Sequence, residues 1–204
     1  MSSRALSRLR WLAILLALAV IGLQVLALVR RIDSGPVMHS GAADIGAPFS
    51  LTDQNGRTIT DASLRGKPVV IYFGWTRDPD LTPAALQILS AALERLGPKA
   101  EAVTPIFITL DPTRDTIIDV GRFVARFHPR LVGLIGTSEQ TEALVLGYKL
   151  FARRIPDGAL PGGYSIDHAS LYYVLGRDGR FRGLVPYTTD VAALADELKN
   201  LTGQ

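Results

Sequence analysis

The chain has 204 residues, enough for one domain with a full hydrophobic core. It has no cysteine, which excludes disulfides, thiolate metal ligands and cysteine nucleophiles together. Residues 1–40 hold five arginines against Asp33, which leaves residues 41–204 with 17 of the 22 basic side chains and 18 of the 19 acidic ones. That balance is no footprint for nucleic acid.

Residues 1–10 carry Arg4, Arg8 and Arg10 and read as a cytoplasmic N-terminus. Residues 11–29, WLAILLALAVIGLQVLALV, contain no charge. At about 1.5 Å per helical residue the run spans roughly 28 Å, near the thickness of a bilayer's hydrocarbon core. A cleaved signal peptide is the rival, but its apolar core would be shorter, and Arg30-Arg31 stand where small residues should. The expectation is a single-pass inner-membrane anchor with the globular part in the periplasm or an equivalent space. Residues 30–45, small and aperiodic, read as a flexible tether; its Met38-His39 pair offers two candidate copper ligands or an ordinary linker.

Residues 46–204 read as one domain. Phe49–Thr52 and Thr58–Thr60 flank Asn55-Gly56, a hairpin signal. Val69–Phe73 is a continuous β-branched and aromatic run, hence a strand buried on both faces. The elbow GWTRDPDLTP, residues 74–83, leads into a helix with Leu86, Leu89, Leu93 and Leu96 on one stripe, Thr82 as expected N-cap and Pro83 as first helical residue. Gly97-Pro98 ends it, and Pro105–Leu110 gives a second buried strand parallel to the first. Helices are expected near 115–127 and 138–150. His128 would then sit as a cation at the first one's C-terminus, and Arg153-Arg154 with Pro156–Gly163 would form a surface loop. A hairpin follows, 170–175 with 181–185, and a last helix carries Val191, Leu194, Leu198 and Leu201. This order predicts an α/β, thioredoxin-like mixed sheet with flanking helices and an N-terminal β-hairpin.

The segments APFSLTDQNGRTIT, GKPVVIYFGWTRDPDLTP, TPIFITLDPTRDT, LVGLIGT and DHASLYYVLGRDGRF resemble the Sco/SenC family over about residues 45–202. The resemblance implies a membrane-anchored, thioredoxin-like protein that handles copper in cytochrome c oxidase assembly. Its partners would be the membrane and an oxidase subunit or a cysteine-bearing Sco-like paralogue. It implies a copper site of a Cys-x3-Cys pair in the elbow plus a distant histidine. His168 keeps the histidine position, while Asp78 and Thr82 stand at the two cysteine positions. Thiol chemistry is thereby lost, and no enzymatic activity is expected. Two readings stay open. Asp78, Asp80 and His168 could form a weak oxygen/nitrogen metal site. Alternatively, the acids and Thr82 serve the helix terminus, and the domain is a metal-free interaction module. Asp111, Arg114 and Asp115 lie at a strand end, where either a ligand site or a capped turn would fit.

Overall fold

The computed structural model describes residues 45–202, together with Val20, Ile21 and Gln24, which are helical. The expected anchor, tether and Met38-His39 pair otherwise lie outside the described residues. Among the described residues no helix is long and apolar enough to cross a membrane.

Nine strands and four α-helices build the domain. The strands are β1 (Ser50–Asp53), β2 (Thr58–Thr60), β3 (Val69–Gly74), β4 (Thr104–Thr109), β5 (Val132–Ile135), β6 (Ala152–Pro156), β7 (Tyr164–His168), β8 (Leu171–Leu175) and β9 (Phe181–Pro186). The helices are α1 (Leu81–Leu96), α2 (Ile117–Val124), α3 (Ser138–Gly147) and α4 (Val191–Thr202). Seven strands form one mixed sheet in the order β2-β1-β5-β4-β3-β8-β9, and β6 pairs with β7 alone. The centre is parallel, as the strand–helix–strand spacing requires: Val69 pairs with Thr104 and Ile106 with Val132. Antiparallel hairpins extend both edges. This is the thioredoxin-like α/β arrangement.

All six residues of β3 are buried, and their alternation divides the core. Val70 and Tyr72 face α1, α2 and α4, where Leu86, Leu89, Phe123, Leu194 and Leu198 pack on them. Val69, Ile71 and Phe73 face the other way, onto Leu144 and Tyr148 of the α3 region and Ile166 of β7. Leu86, Leu89 and Leu93 of the α1 stripe are buried as their spacing predicts, and Leu96 is partly buried.

Four expectations change. α1 begins at Leu81, so Thr82 lies in its first turn and is not the N-cap. α2 ends at Val124, so His128 lies beyond the helix; burial and the Arg130 charge lower its pKa, and its Nδ1 accepts the Arg130 N–H at 3.2 Å. It is no helix-terminal cation. The expected surface loop is a hairpin, with Arg153 and Arg154 in β6 and residues 157–163 as its turn. β5 is a fifth core strand that the predicted order lacked. It fits against α2 because Gly133 has no side chain: a Cβ there would stand 2.5 Å from Val120 Cγ1.

Candidate functional site at the strand-to-helix elbow

Residues 75–80 leave the end of β3 and enter α1 under the end of β7. Asp78 is buried and organises the turn. Its Oδ1 accepts the N–H groups of Asp80 (3.0 Å) and Leu81 (3.1 Å), and its Oδ2 accepts the Thr82 N–H (2.9 Å) and hydroxyl (2.7 Å). Asp78 thus serves as the cap of α1 from two residues before the formal N-cap, Asp80, whose side chain caps nothing. It satisfies donors that a helix start leaves open and sits where the helix dipole favours an anion. Thr82 is fully buried, and its Oγ1 also accepts the Trp75 N–H at 3.4 Å. Gly74 makes room for it: a Cβ at 74 would lie 2.4 Å from that oxygen.

The fold brings His168 to the same place. It ends β7, paired with Ala152, and its side chain is fully buried. Nε2 lies 3.5 Å from Asp78 Oδ2 and Nδ1 lies 3.4 Å from the Ala169 carbonyl oxygen. The first is a contact at the limit of hydrogen-bond distance, and Nε2 has no partner in hydrogen-bond geometry. The Tyr72 ring meets the imidazole edge-on at 6.0 Å. The Tyr72 hydroxyl is buried beside Ser170, Thr82, Asp78 and Tyr187 without a partner in hydrogen-bond geometry, and burial raises its pKa. Burial would also raise the Asp78 carboxyl. His168, the Asp80 N–H and both Thr82 donors outweigh it and hold the carboxyl at about 2.

A second carboxylate fixes the elbow from the neighbouring loop. Asp115, also buried, accepts the Thr76 N–H (3.1 Å) and the hydroxyls of Thr76 and Thr109, with Arg77 at 3.5 Å. Asp111 accepts from Arg114 Nε, Thr113 and the Tyr164 hydroxyl. Arg114 stacks on Tyr164 at 3.5 Å and donates to the carbonyls of Pro161 and Tyr164. Asp115 therefore ties the turn to the elbow, while Asp111 and Arg114 also clamp the β6–β7 hairpin, whose last residue is His168.

Of the three expected oxygen and nitrogen ligands, the structure brings Asp78 and His168 together and leaves Asp80 at the surface. An ion bound about 2.1 Å from each donor could bridge a 3.5 Å gap. The donor set does not fit a resident copper ion, however. A carboxylate has about four lone-pair positions, and Asp78 gives all of them to donors of its own turn. Among the described residues no group of three or more His, Cys, Asp or Glu could hold a metal. Soft thiolates, which suit Cu(I), are absent.

The SCO1/SenC family model matches residues 37–203. A mitochondrial SCO1 homologue of Arabidopsis thaliana is 33% identical over 166 residues, 81% of this chain and 48% of its own length. An SCO2-like protein of Rickettsia prowazekii is 36% identical over 137 residues, 67% of each chain. The chain thus spans about half the length of the Arabidopsis relative. Among solved structures, Bradyrhizobium japonicum ScoI with copper bound is 39% identical with a TM-score of 0.72, covering 77% of this chain and 99% of that one. Arabidopsis thaliana ScoI with copper bound gives 32% and 0.73, covering 78% and 99%. With a family model covering most of its length and relatives above 30% identity, the chain belongs to the SCO1/SenC family, as a member without cysteine.

Proposed function

We propose that this chain is a membrane-anchored assembly factor for a respiratory oxidase, acting by binding a partner protein and without thiol, enzymatic or resident-metal chemistry. One observation carries the restriction: Asp78, at a family cysteine position, uses both oxygens to hold the start of α1. The assembly role is supported by relatives. Two are Sco structures with copper bound, and another neighbour is a member of "the Sco family of cytochrome c oxidase assembly proteins". The anchor is supported by the uncharged run 11–29.

The elbow surface suits protein binding. Leu81, Ile117 and Ile118 are exposed around it, Ile118 at 64%. Beside them Thr76, Arg77, Asp119, Arg122, Phe123 and Arg126 line a pocket of about 210 Å³. Arg122 lies in the last turn of α2 and Arg126 just beyond its end, and no carboxylate forms a salt bridge with either among the described residues. An apolar patch rimmed by arginine fits an acidic protein surface, such as an oxidase subunit or a cysteine-bearing Sco-like relative.

The test has two arms. Full-length protein in mild detergent is titrated anaerobically with Cu(I) against a competing chelator, beside His168→Gln. Oxidase assembly is then scored in cells lacking the chain and resupplied with wild type, His168→Gln, or Ile118→Asp with Arg122→Glu. The reading expects no stoichiometric copper, rescue by the first two and none by the surface variant. One-to-one copper that disappears in His168→Gln, together with lost rescue, would replace it with the reading of an oxygen/nitrogen metal site.

A further inference from the structure

The end of the sheet opposite the elbow carries a different surface. β3 runs from Val69 to Gly74, roughly 17 Å for six residues. The elbow follows Gly74, while the loop 65–67 precedes Val69. β8 runs antiparallel with Leu175 beside Val69, so the β8–β9 turn, 176–180, lies at that same far end. The two loops are joined: the Gly66 N–H donates to the Arg177 carbonyl at 2.8 Å, and a Cβ at Gly179 would stand 3.5 Å from Arg65 Cγ.

Five cations are exposed there: Arg65, Lys67, Arg177, Arg180 and Arg182. Against them stand Asp61, Asp178 and, beyond Lys67, Glu101. Asp178 pairs with Arg182 at 3.0 Å. In a domain that carries one more acid than base over residues 41–204, this face is net positive. It is also where the described chain begins. Ile45 and Gly46 line one cavity of about 610 Å³ with Asp61, Arg65, Arg180 and Arg182.

We propose that this basic face docks on the anionic phospholipid headgroups of the membrane that holds the anchor, which turns the elbow away from the bilayer and toward its partner. The inference rests on the anchor part of the proposed function. Fifteen residues, 30–44, separate Val29 from Ile45, and a chain of that length spans at most roughly 50 Å. The face beside Ile45 is therefore held within reach of headgroup phosphates. Guanidinium groups suit them as partners. Docking on this face fixes which end of β3 points outward.

The absence of native cysteine permits single reporters. Ala62→Cys, beside Arg65, or Asp80→Cys, at the elbow, is labelled with a donor dye in full-length protein. The protein is placed in nanodiscs of phosphatidylcholine, alone or mixed with phosphatidylglycerol, with an acceptor on the headgroups. Energy transfer from Ala62→Cys should rise in the mixed discs, exceed that from Asp80→Cys, and fall as salt is added. Each arginine removed should lower the docked-to-undocked ratio about fivefold, so Arg65→Gln, Arg180→Gln and Arg182→Gln together should lower it on the order of 100-fold, with the circular dichroism spectrum unchanged. A chain that does not copurify with the discs overturns the anchor and this proposal with it. A chain that copurifies overturns docking alone if the Ala62→Cys signal ignores lipid charge, salt or the triple variant, or if Asp80→Cys proves the nearer site.

Discussion

Removing the Asp78 carboxylate should destabilise the domain at neutral pH and flatten its acid response. Asp78→Ala deletes an N-terminal cap, which costs about 1–2 kcal/mol. It also strips the buried Thr82 hydroxyl and the Thr82 N–H of their acceptor, and buried donors left open cost about 1–3 kcal/mol. The two costs overlap, and roughly 3 kcal/mol is expected. That is a fall in Tm of about 6–12 °C for a domain of this size. Asp78→Asn keeps the shape but turns an amide donor toward one of the donor pairs, so about half the loss should remain. The pH arm has a defined sign. The folded carboxyl titrates at about 2, below its ordinary value of 3.8. The unfolded chain therefore binds its proton first as pH falls. The stabilisation, roughly 2 kcal/mol, is complete above pH 4 and is lost between about pH 4 and pH 2. Urea unfolding followed by circular dichroism at pH 7, 4 and 2 measures both arms. The gap between wild type and Asp78→Ala should shrink toward pH 2. A gap under about 0.5 kcal/mol at pH 7, or one that does not change with pH, would refute the cap.

The neighbours of the turn give further tests. Gly74→Ala places a methyl 2.4 Å from Thr82 Oγ1 and should cost about 1–3 kcal/mol; adding Thr82→Ala should make the pair less than additive in the same assay. Arg114→Lys loses the forked contacts to Asp111, Pro161 and Tyr164 and the stack on Tyr164. Limited proteolysis should then cut within residues 157–163 at least several-fold faster, and an unchanged rate would show that the hairpin seats itself. Asp78→Cys with Thr82→Cys should gain Cu(I) binding in a chelator competition. The two native side chains already touch at 2.7 Å and His168 stands beside them, so the new thiolates and the imidazole would form a soft three-donor set. Adding His168→Gln should weaken that binding.

Central parts of the fold were legible because their residues repeat a period. The apolar run of β3, the leucine stripe of α1 and the Asn-Gly hairpin each carry a local pattern that survives in the structure. β5 escaped because it is four residues long, VGLI, with a glycine inside. β6 and β7 escaped because ARRIP and YSIDH are polar and pair only with each other. At the site, the sequence could suggest that acids favour a helix N-terminus. It could not show that one carboxylate takes all four donors, since that depends on the path of residues 78–82. The meeting of Asp78 with His168 joins positions 90 residues apart, and it depends on the β6–β7 hairpin that the sequence did not reveal. Arg114 looked like a strand-end residue; its clamp on Tyr164 is a contact across 50 residues.

The side chains at the elbow are matched to each other. Asp78 accepts four hydrogen bonds, and Thr82 supplies two of them. The Asp78–Thr82 contact closes a turn over the three residues between them with hydrogen bonds. Such a closure does not open under reducing conditions, and it needs the carboxylate charged. With no sulfur in it, the turn has nothing to reduce or oxidise, and it is expected to loosen under acid strong enough to protonate Asp78. A surface held constant in this way suits a binding face better than a site that must change state. The exposed Leu81, Ile117 and Ile118 around it are the part of the elbow left for a partner to read.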